Sequence, residues 1–180
     1  MDRLKSLLQL VLRNWPETAF LASVLMLAIA HAFETFAQLM PCTLCLKQRE
    51  VYWVAMAVAA AAIIVRRTSF GARALPWLNA LLGLIFLYGA GLAAYHAGVE
   101  WKWWAGPTTC ASGGGGGGAS VDQMKALLEG VNAKGPACDK AAWVFLGLSM
   151  AGWNVLVSLK LAILSALAAR GRISALESAQ

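Results

Sequence analysis

Charge is what this sequence has least of: 13% of its residues are Asp, Glu, Lys or Arg, where a soluble domain carries about 25%. That shortage, with 59% hydrophobic residues, excludes an ordinary water-soluble globule and makes lipid the solvent for most of the chain. Two cofactor signatures are missing as well. No Cys-x-x-Cys-His is present, because Leu46 follows Cys45, which removes covalent haem attachment. No Rossmann glycine pattern follows a strand, which removes the usual dinucleotide site. A clear small-residue cleavage site is lacking after the first apolar stretch, and three further stretches follow it. The first stretch is therefore read as a retained helix, not a signal peptide, although Arg3, Lys5 and Arg13 precede it.

What the chain does have is four long apolar stretches, and the expected fold is an all-α membrane protein, a single domain of four transmembrane helices spanning about 16–33, 43–65, 76–96 and 142–165. The first follows Asn14-Trp15-Pro16-Glu17, where Asn14 is a candidate N-cap and Pro16 suits a first helical turn. The second, from Val51 to Val65, covers only about 22 Å at 1.5 Å per residue, short of the roughly 30 Å hydrocarbon core. Beginning it near Thr43 restores the length and places Lys47, Gln48, Arg49 and Glu50 at headgroup depth, where long side chains snorkel. The third has Pro76, Trp77 and Tyr95 near its ends and Gly83, Gly89 and Gly91 inside, as a closely packed membrane helix should. The fourth begins with Trp143 and contains Trp153.

An even number of spans puts both termini on one side. Arg3, Lys5, Arg13, Arg66, Arg67, Arg73, Arg170 and Arg172 crowd the tails and the short second connection, whereas Lys47, Arg49, Lys102, Lys125, Lys134 and Lys140 are spread over longer segments. The positive-inside rule makes the termini cytoplasmic. All four cysteines, Cys42, Cys45, Cys110 and Cys138, are then expected on the outer face, where an oxidising compartment lets disulfides persist. The outer loop, about 97–141, opens with Trp101, Trp103 and Trp104, which read as an interfacial anchor, and contains a run of glycines from Gly113 to Gly118 that reads as a flexible tether. Ser120-Val121-Asp122-Gln123 resembles a capping box, and Val121, Met124, Leu127, Leu128 and Val131 recur at helical spacing, so a short amphipathic helix is expected there, packed on the bundle or lying in the membrane interface.

Cys42-Thr43-Leu44-Cys45 at a helix N-terminus is redox-active geometry, because the helix dipole and free N–H groups stabilise a thiolate. Arg49 falls on the same helix face, seven residues after Cys42. It suits the support of a thiolate or an anionic electron acceptor, or alternatively a lipid phosphate. Cys110 and Cys138 either form an exchangeable loop disulfide or simply staple the loop, a closure on the order of 3–4 kcal/mol. Two pairs on one face suggest a thiol-disulfide relay whose electrons need a membrane-dissolved acceptor such as a quinone.

Pro41-Cys42-Thr43-Leu44-Cys45-Leu46-Lys47-Gln48-Arg49 resembles the Pro-Cys-x-Leu-Cys-x-x-x-Arg signature of DsbB, the bacterial inner-membrane disulfide oxidoreductase. Tyr95-His96, Pro107-Thr108-Thr109-Cys110, and Cys138 followed by Trp143-Val144-Phe145-Leu146-Gly147-Leu148-Ser149-Met150 extend the similarity over about residues 35–155. The chain departs from the pattern in its glycine run and at Ala151, where a proline is common. The resemblance implies an enzyme that reoxidises a DsbA-like periplasmic thioredoxin-fold oxidase and hands two electrons to ubiquinone or menaquinone, with no nucleic-acid partner. It implies that Cys110 forms the mixed disulfide with the partner and that Cys138 is its loop mate. Cys42 would exchange with Cys138, Cys45 would be the thiolate facing the quinone, Arg49 would lie beside that ring, and His96 would be a further quinone-side residue. His31 has no motif to assign it. A vitamin K epoxide reductase-like protein also combines a Cys-x-x-Cys with loop cysteines, but the Leu-Cys-x-x-x-Arg context argues against it. A third reading, four thiolates holding zinc or copper(I), is disfavoured because zinc sites usually pair two short Cys-x-x-Cys knuckles.

Overall fold

A computed structural model describes residues 2–107 and 138–177. The glycine run, Cys110 and the capping-box segment lie outside the described residues. Five helices and a small hairpin account for the rest: α1 Asp2–Arg13, α2 Trp15–Phe36, α3 Thr43–Val65, α4 Gly71–Glu100, β1 Val144–Phe145, β2 Leu148–Ser149 and α5 Met150–Glu177. Within them, Trp15–Phe36, Thr43–Val65, Gly71–Glu100 and Met150–Arg172 are long and apolar enough to cross a membrane, which bears out the four-helix membrane fold.

The helices pack in chain order. α4 lies most extensively against α5, while α2 packs on α3 and α3 on α4. Lipid offers no hydrophobic drive between helices, so close approach depends on small residues at the contacts. Ala55, Ala59, Ala90, Ala93 and Ala97 are buried accordingly. A Cβ on Gly83 would stand 3.3 Å from the Ser165 Cβ, and one on Gly89 would stand 2.9 Å from Val51 Cγ1. The larger buried side chains, Trp15, Tyr52, Leu82, Phe86 and Leu161, fill the middle of the bundle, and the Trp15 indole donates to Ser165 Oγ at 3.0 Å. Leu21, Ile64, Trp77, Leu84 and Tyr88 remain exposed and form an apolar exterior far larger than a soluble monomer presents.

Three elements differ from their sequence reading. The fourth span begins at Met150 and not at Ala142. The apolar run before it is spent on the hairpin, with Val144 opposite Ser149 and Phe145 opposite Leu148. Leu146 and Gly147 both take positive φ, 51° and 81°, as a two-residue primed turn requires. Trp143, Phe145, Trp153 and Phe33 then cluster ring on ring across the hairpin and α2. The third span starts earlier than Pro76, which sits inside α4, one turn beyond the first-turn positions where a proline's missing N–H is without cost. Asn14 occupies the N-cap position of α2 without capping it, because its side-chain amide turns back to Leu10 O, 3.1 Å away, once α1 continues the helical path before it.

The basic end of the bundle is tied together. Arg66, after α3, pairs with Glu17 at the start of α2 at 2.7 Å, and Arg172 of α5 donates to Arg13 O at 2.8 Å. Cys42, Cys45 and His96 lie at the opposite ends of α3 and α4. There, Trp104 folds back over α4. Its indole donates to Tyr95 O at 2.9 Å and stacks on the Tyr95 ring with centroids 5.9 Å apart. Only glycine fits beneath it, since a Cβ on Gly98 would come within 2.1 Å of the Trp104 ring. Gly98→Ala should therefore displace the indole and lower stability by about 1–3 kcal/mol. Thermal unfolding in detergent checks this, and an unchanged Tm would show that the lid yields freely.

Candidate functional site

The first turn of α3 holds the site together. Cys42 precedes the helix with extended backbone, φ −78° and ψ 170°, and its Sγ accepts from the Cys45 N–H at 3.3 Å. A sulfur thus does the work usually done by a Ser or Asp oxygen at an N-cap. The two sulfurs are 3.0 Å apart, and both thiols are free. The hydrogen bond from the Cys45 thiol holds the Cys42 thiol well below the usual thiol range. It outweighs burial, which acts the other way, and His96 adds to it by hydrogen bonding and charge.

A lowered pKa means that Cys42 is already deprotonated at neutral pH. Its alkylation rate in the reduced protein should stay level from mildly alkaline conditions through neutrality, where an ordinary thiol slows by about tenfold per pH unit. Mass spectrometry of peptides quenched at each pH reads this directly, and an ordinary thiol profile would refute the electrostatic assignment.

The two cysteines face different neighbours. Cys42 is part of a buried apolar cluster with Leu44, Val99 and Cys138, against which Cys45 also packs, and Thr43 Oγ1 lies 3.6 Å from Cys138 Sγ. Cys138 is disulfide-bonded and almost fully buried. Cys45 instead lines a largely apolar cavity of about 170 Å³ between α2, α3 and the start of α5, together with Arg49, Met26, Phe33 and Met150. Cys42 is not among the cavity's lining residues, so the two cysteines and Arg49 do not share one surface as their helical spacing predicts.

Arg49 is held from α2. Its guanidinium donates to Glu34 Oε2 at 2.5 Å and to Ala30 O at 3.2 Å, leaving further N–H groups for a ligand. Glu34 escaped the sequence reading, although a carboxylate within an otherwise apolar span is a signal of function in its own right.

His96, on α4, meets the thiol pair from the other side. Its Nε2 is 3.6 Å from Cys42 Sγ and its Nδ1 is 2.8 Å from Gln48 Nε2. The Glu100 carboxylate stands 3.8 Å from Nε2 and is itself hydrogen-bonded by Ser149. The chain of polar groups continues inward. Asn154 Nδ2 donates to Gln48 Oε1 at 2.5 Å, the Tyr52 hydroxyl donates to Asn154 Oδ1 at 2.5 Å, and Ser158 Oγ lies 3.0 Å from that hydroxyl. Gln48, Tyr52, Asn154 and His96 also reach the cavity wall. Unpaired polar groups at this depth would each cost several kcal/mol, on the order of the membrane penalty for an unsatisfied group, so their mutual satisfaction fixes the side chains firmly. Sequence reasoning missed Gln48, Tyr52, Glu100, Asn154 and Ser158 as site residues. Tyr52, Asn154 and Ser158 lie in apolar runs, Gln48 in the polar stretch Lys47–Glu50 and Glu100 near the end of α4, and only the packing of α3, α4 and α5 brings them together. His31 bonds its own helix, Nδ1 to Leu27 O at 2.7 Å.

The geometry bears on metal binding too. With Cys138 in a disulfide while Cys42 and Cys45 are free, no set of four thiolates exists. The group that remains among the described residues is Cys42, Cys45 and His96, whose ligand atoms lie within 4.8 Å of one another.

Comparison with known proteins identifies the family. A family model described as Disulfide bond formation protein DsbB matches residues 13–168. Disulfide bond formation protein B of Methylococcus capsulatus is 34% identical over 82% of this chain and 88% of its own. The protein of that name from Dechloromonas aromatica is 28% identical over 81% and 84%. No solved structure matches. A membrane-spanning four-helix fold, a free Cys-x-x-Cys at a helix start and a match across most of the chain lead to one conclusion: this protein belongs to the DsbB family of membrane disulfide bond formation proteins.

Proposed function

We propose that the chain reoxidises a DsbA-like thioredoxin-fold oxidase and passes the two electrons to a membrane quinone. The observation that carries this reading is the division of labour at α3, where Cys42 packs beside Cys138 and Cys45 lines the apolar cavity with Arg49. In the first exchange, a thiolate of the partner attacks the Cys110–Cys138 disulfide at Cys110. The partner's second thiol then releases itself as a disulfide and leaves Cys110 and Cys138 reduced. Those two thiols reduce the Cys42–Cys45 disulfide through attack of Cys138 on Cys42. Each exchange moves two electrons and leaves two protons on the newly reduced pair.

The cavity fits a quinone ring by chemistry. It is apolar, it has one cationic donor in Arg49, and it opens between helices where a lipid-soluble molecule can enter. A quinone bound there supplies the two-electron sink. Cys45 is the group positioned to deliver the electrons, Arg49 to orient and polarise a carbonyl oxygen, and Glu34 to hold Arg49 in place. The clustering of basic residues at the other end of the bundle supports cytoplasmic termini, and with them a thiol site facing the periplasm across a bacterial inner membrane.

The test is a coupled assay. Purified protein in detergent, given ubiquinone or menaquinone and a reduced thioredoxin-fold partner, should bleach the quinone absorbance at a rate matched by partner thiol loss. Absence of quinone reduction while the partner is oxidised by another acceptor would overturn the quinone assignment, and absence of both would overturn the function.

A further inference from the structure

We infer that the reduced thiol pair is also a binding site for one thiophilic d10 cation of the zinc class, held by Cys42 Sγ, Cys45 Sγ and His96 Nε2, and that this metal and the disulfide exclude each other. Three ligand atoms from two helices already converge: the sulfurs are 3.0 Å apart, Cys42 Sγ is 3.6 Å from Nε2, and all three lie within 4.8 Å. A tetrahedral zinc with bonds of about 2.3 Å to sulfur and 2.0 Å to nitrogen spaces its sulfurs about 3.7 Å apart and sulfur from nitrogen about 3.5 Å. The nitrogen is therefore at a suitable distance from Cys42, and the sulfurs need to part by roughly 0.7 Å, within reach of side-chain rotation. The Glu100 carboxylate stands beside these three, 3.8 Å from Nε2.

Charge and hydrogen bonding favour the same occupant. Two thiolates cancel a divalent cation, so the loaded site is neutral in a low-dielectric setting where an unpaired ion would be costly. Binding releases whatever protons the thiols still carry, and no electron moves. To ligate through Nε2, the neutral imidazole must carry its proton on Nδ1 and donate it. Gln48 faces Nδ1, and its amide turned over presents an oxygen there. Asn154 and the Tyr52 and Ser158 hydroxyls behind it can each donate or accept, so the chain can reverse with it, and what it gives up is the Ser158 bond to Asn154 Oδ1. Once the sulfurs join as a disulfide they cease to be thiolate ligands. Metal uptake should therefore report the redox state of the pair and arrest it in the reduced form.

The inference stands apart from the quinone reading, and its test uses neither quinone nor partner. Full-length protein carrying Cys110→Ser and Cys138→Ser, so that Cys42 and Cys45 are its only thiols, is reduced with a phosphine and titrated with Co²⁺, then with Zn²⁺ in competition. One Co²⁺ per chain with thiolate-to-metal charge-transfer absorption is expected, displaced by Zn²⁺ and absent after oxidation to the disulfide. His96→Ala should weaken binding by tenfold or more, and Gln48→Leu by about tenfold through the lost orientation of the ring, with helix content by circular dichroism confirming that each variant is folded. Equal uptake by reduced and oxidised protein, no uptake by the reduced protein, or unchanged affinity in both variants would each overturn the site.

Discussion

Replacing Cys45 with serine should stop electron delivery to quinone almost completely, by on the order of a thousandfold or more, while leaving the exchange with the partner intact. The expectation follows from the two faces of the first turn of α3. Cys45 is the cysteine that lines the cavity, whereas Cys42 packs with Cys138 and is not among the lining residues. The variant should therefore still exchange once with the partner through the loop disulfide and then stall, because it cannot form the Cys42–Cys45 disulfide that Cys138 attacks. Before partner is added, its lone Cys42 thiolate can attack the Cys110–Cys138 disulfide at Cys138 and release Cys110 as a thiol, and with no Cys45 to displace Cys138 this Cys42–Cys138 disulfide should be visible by mass spectrometry under non-reducing conditions. The matching replacement, Cys42→Ser, should block the relay one step earlier and give no such species. Quinone reduction by the Cys45→Ser protein at the parent rate would show that electrons leave by another route and would remove the cavity from the mechanism.

Arg49→Met should raise the apparent KM for quinone about tenfold to a hundredfold. The range reflects the roughly 1.5–3 kcal/mol of a hydrogen bond from a charged donor, at about 1.4 kcal/mol per factor of ten. Met conserves the apolar stem while removing the fork that faces the cavity. Part of the loss is structural, because the Glu34 carboxylate loses its partner in a pair whose side chains are only 16% and 35% exposed. Glu34→Gln separates the two effects. The amide keeps a hydrogen bond to Arg49 but gives up the charge, so its cost should be smaller than that of Arg49→Met. The double variant should resemble Arg49→Met alone, as expected for residues that act through one contact. Steady-state kinetics against quinone concentration, with partner held saturating, provide the comparison. Strictly additive losses would mean that Glu34 acts on something other than Arg49.

Much of this frame is readable from sequence because membrane helices leave coarse traces. Shortness of the apolar run at Val51–Val65 forces α3 to begin at Thr43, and with that boundary the N-cap place of Cys42 follows. Arg49 falls one turn beyond Cys45 for the same reason and reaches the same wall. Where periodicity misleads is at Trp143–Ser149: hydropathy cannot distinguish an apolar helix from an apolar hairpin, and the deciding fact is the positive φ of Leu146 and Gly147. The contacts of His96 with Gln48, and of Tyr52 with Asn154, join residues far apart in the chain, and no spacing rule connects them. Asn14 illustrates a third limit, since a good capping residue is wasted when another helix runs directly into it.

The first turn of α3 can be regarded as a partition. On the proposed function, the thiol chemistry on one side is that of proteins in water, and the acceptor on the other is a molecule dissolved in hydrocarbon. A partition one turn thick is sensitive to phase more than to distance, because each residue advances a helix by about 100°. Lengthening Thr43-Leu44 by a single residue would keep both sulfurs, the N-cap and the helix, yet swing the second sulfur from the cavity to a lipid-facing or buried wall. On that reading the two-residue spacer is a rotational setting that keeps the aqueous and lipid half-reactions in contact through the Cys42–Cys45 pair.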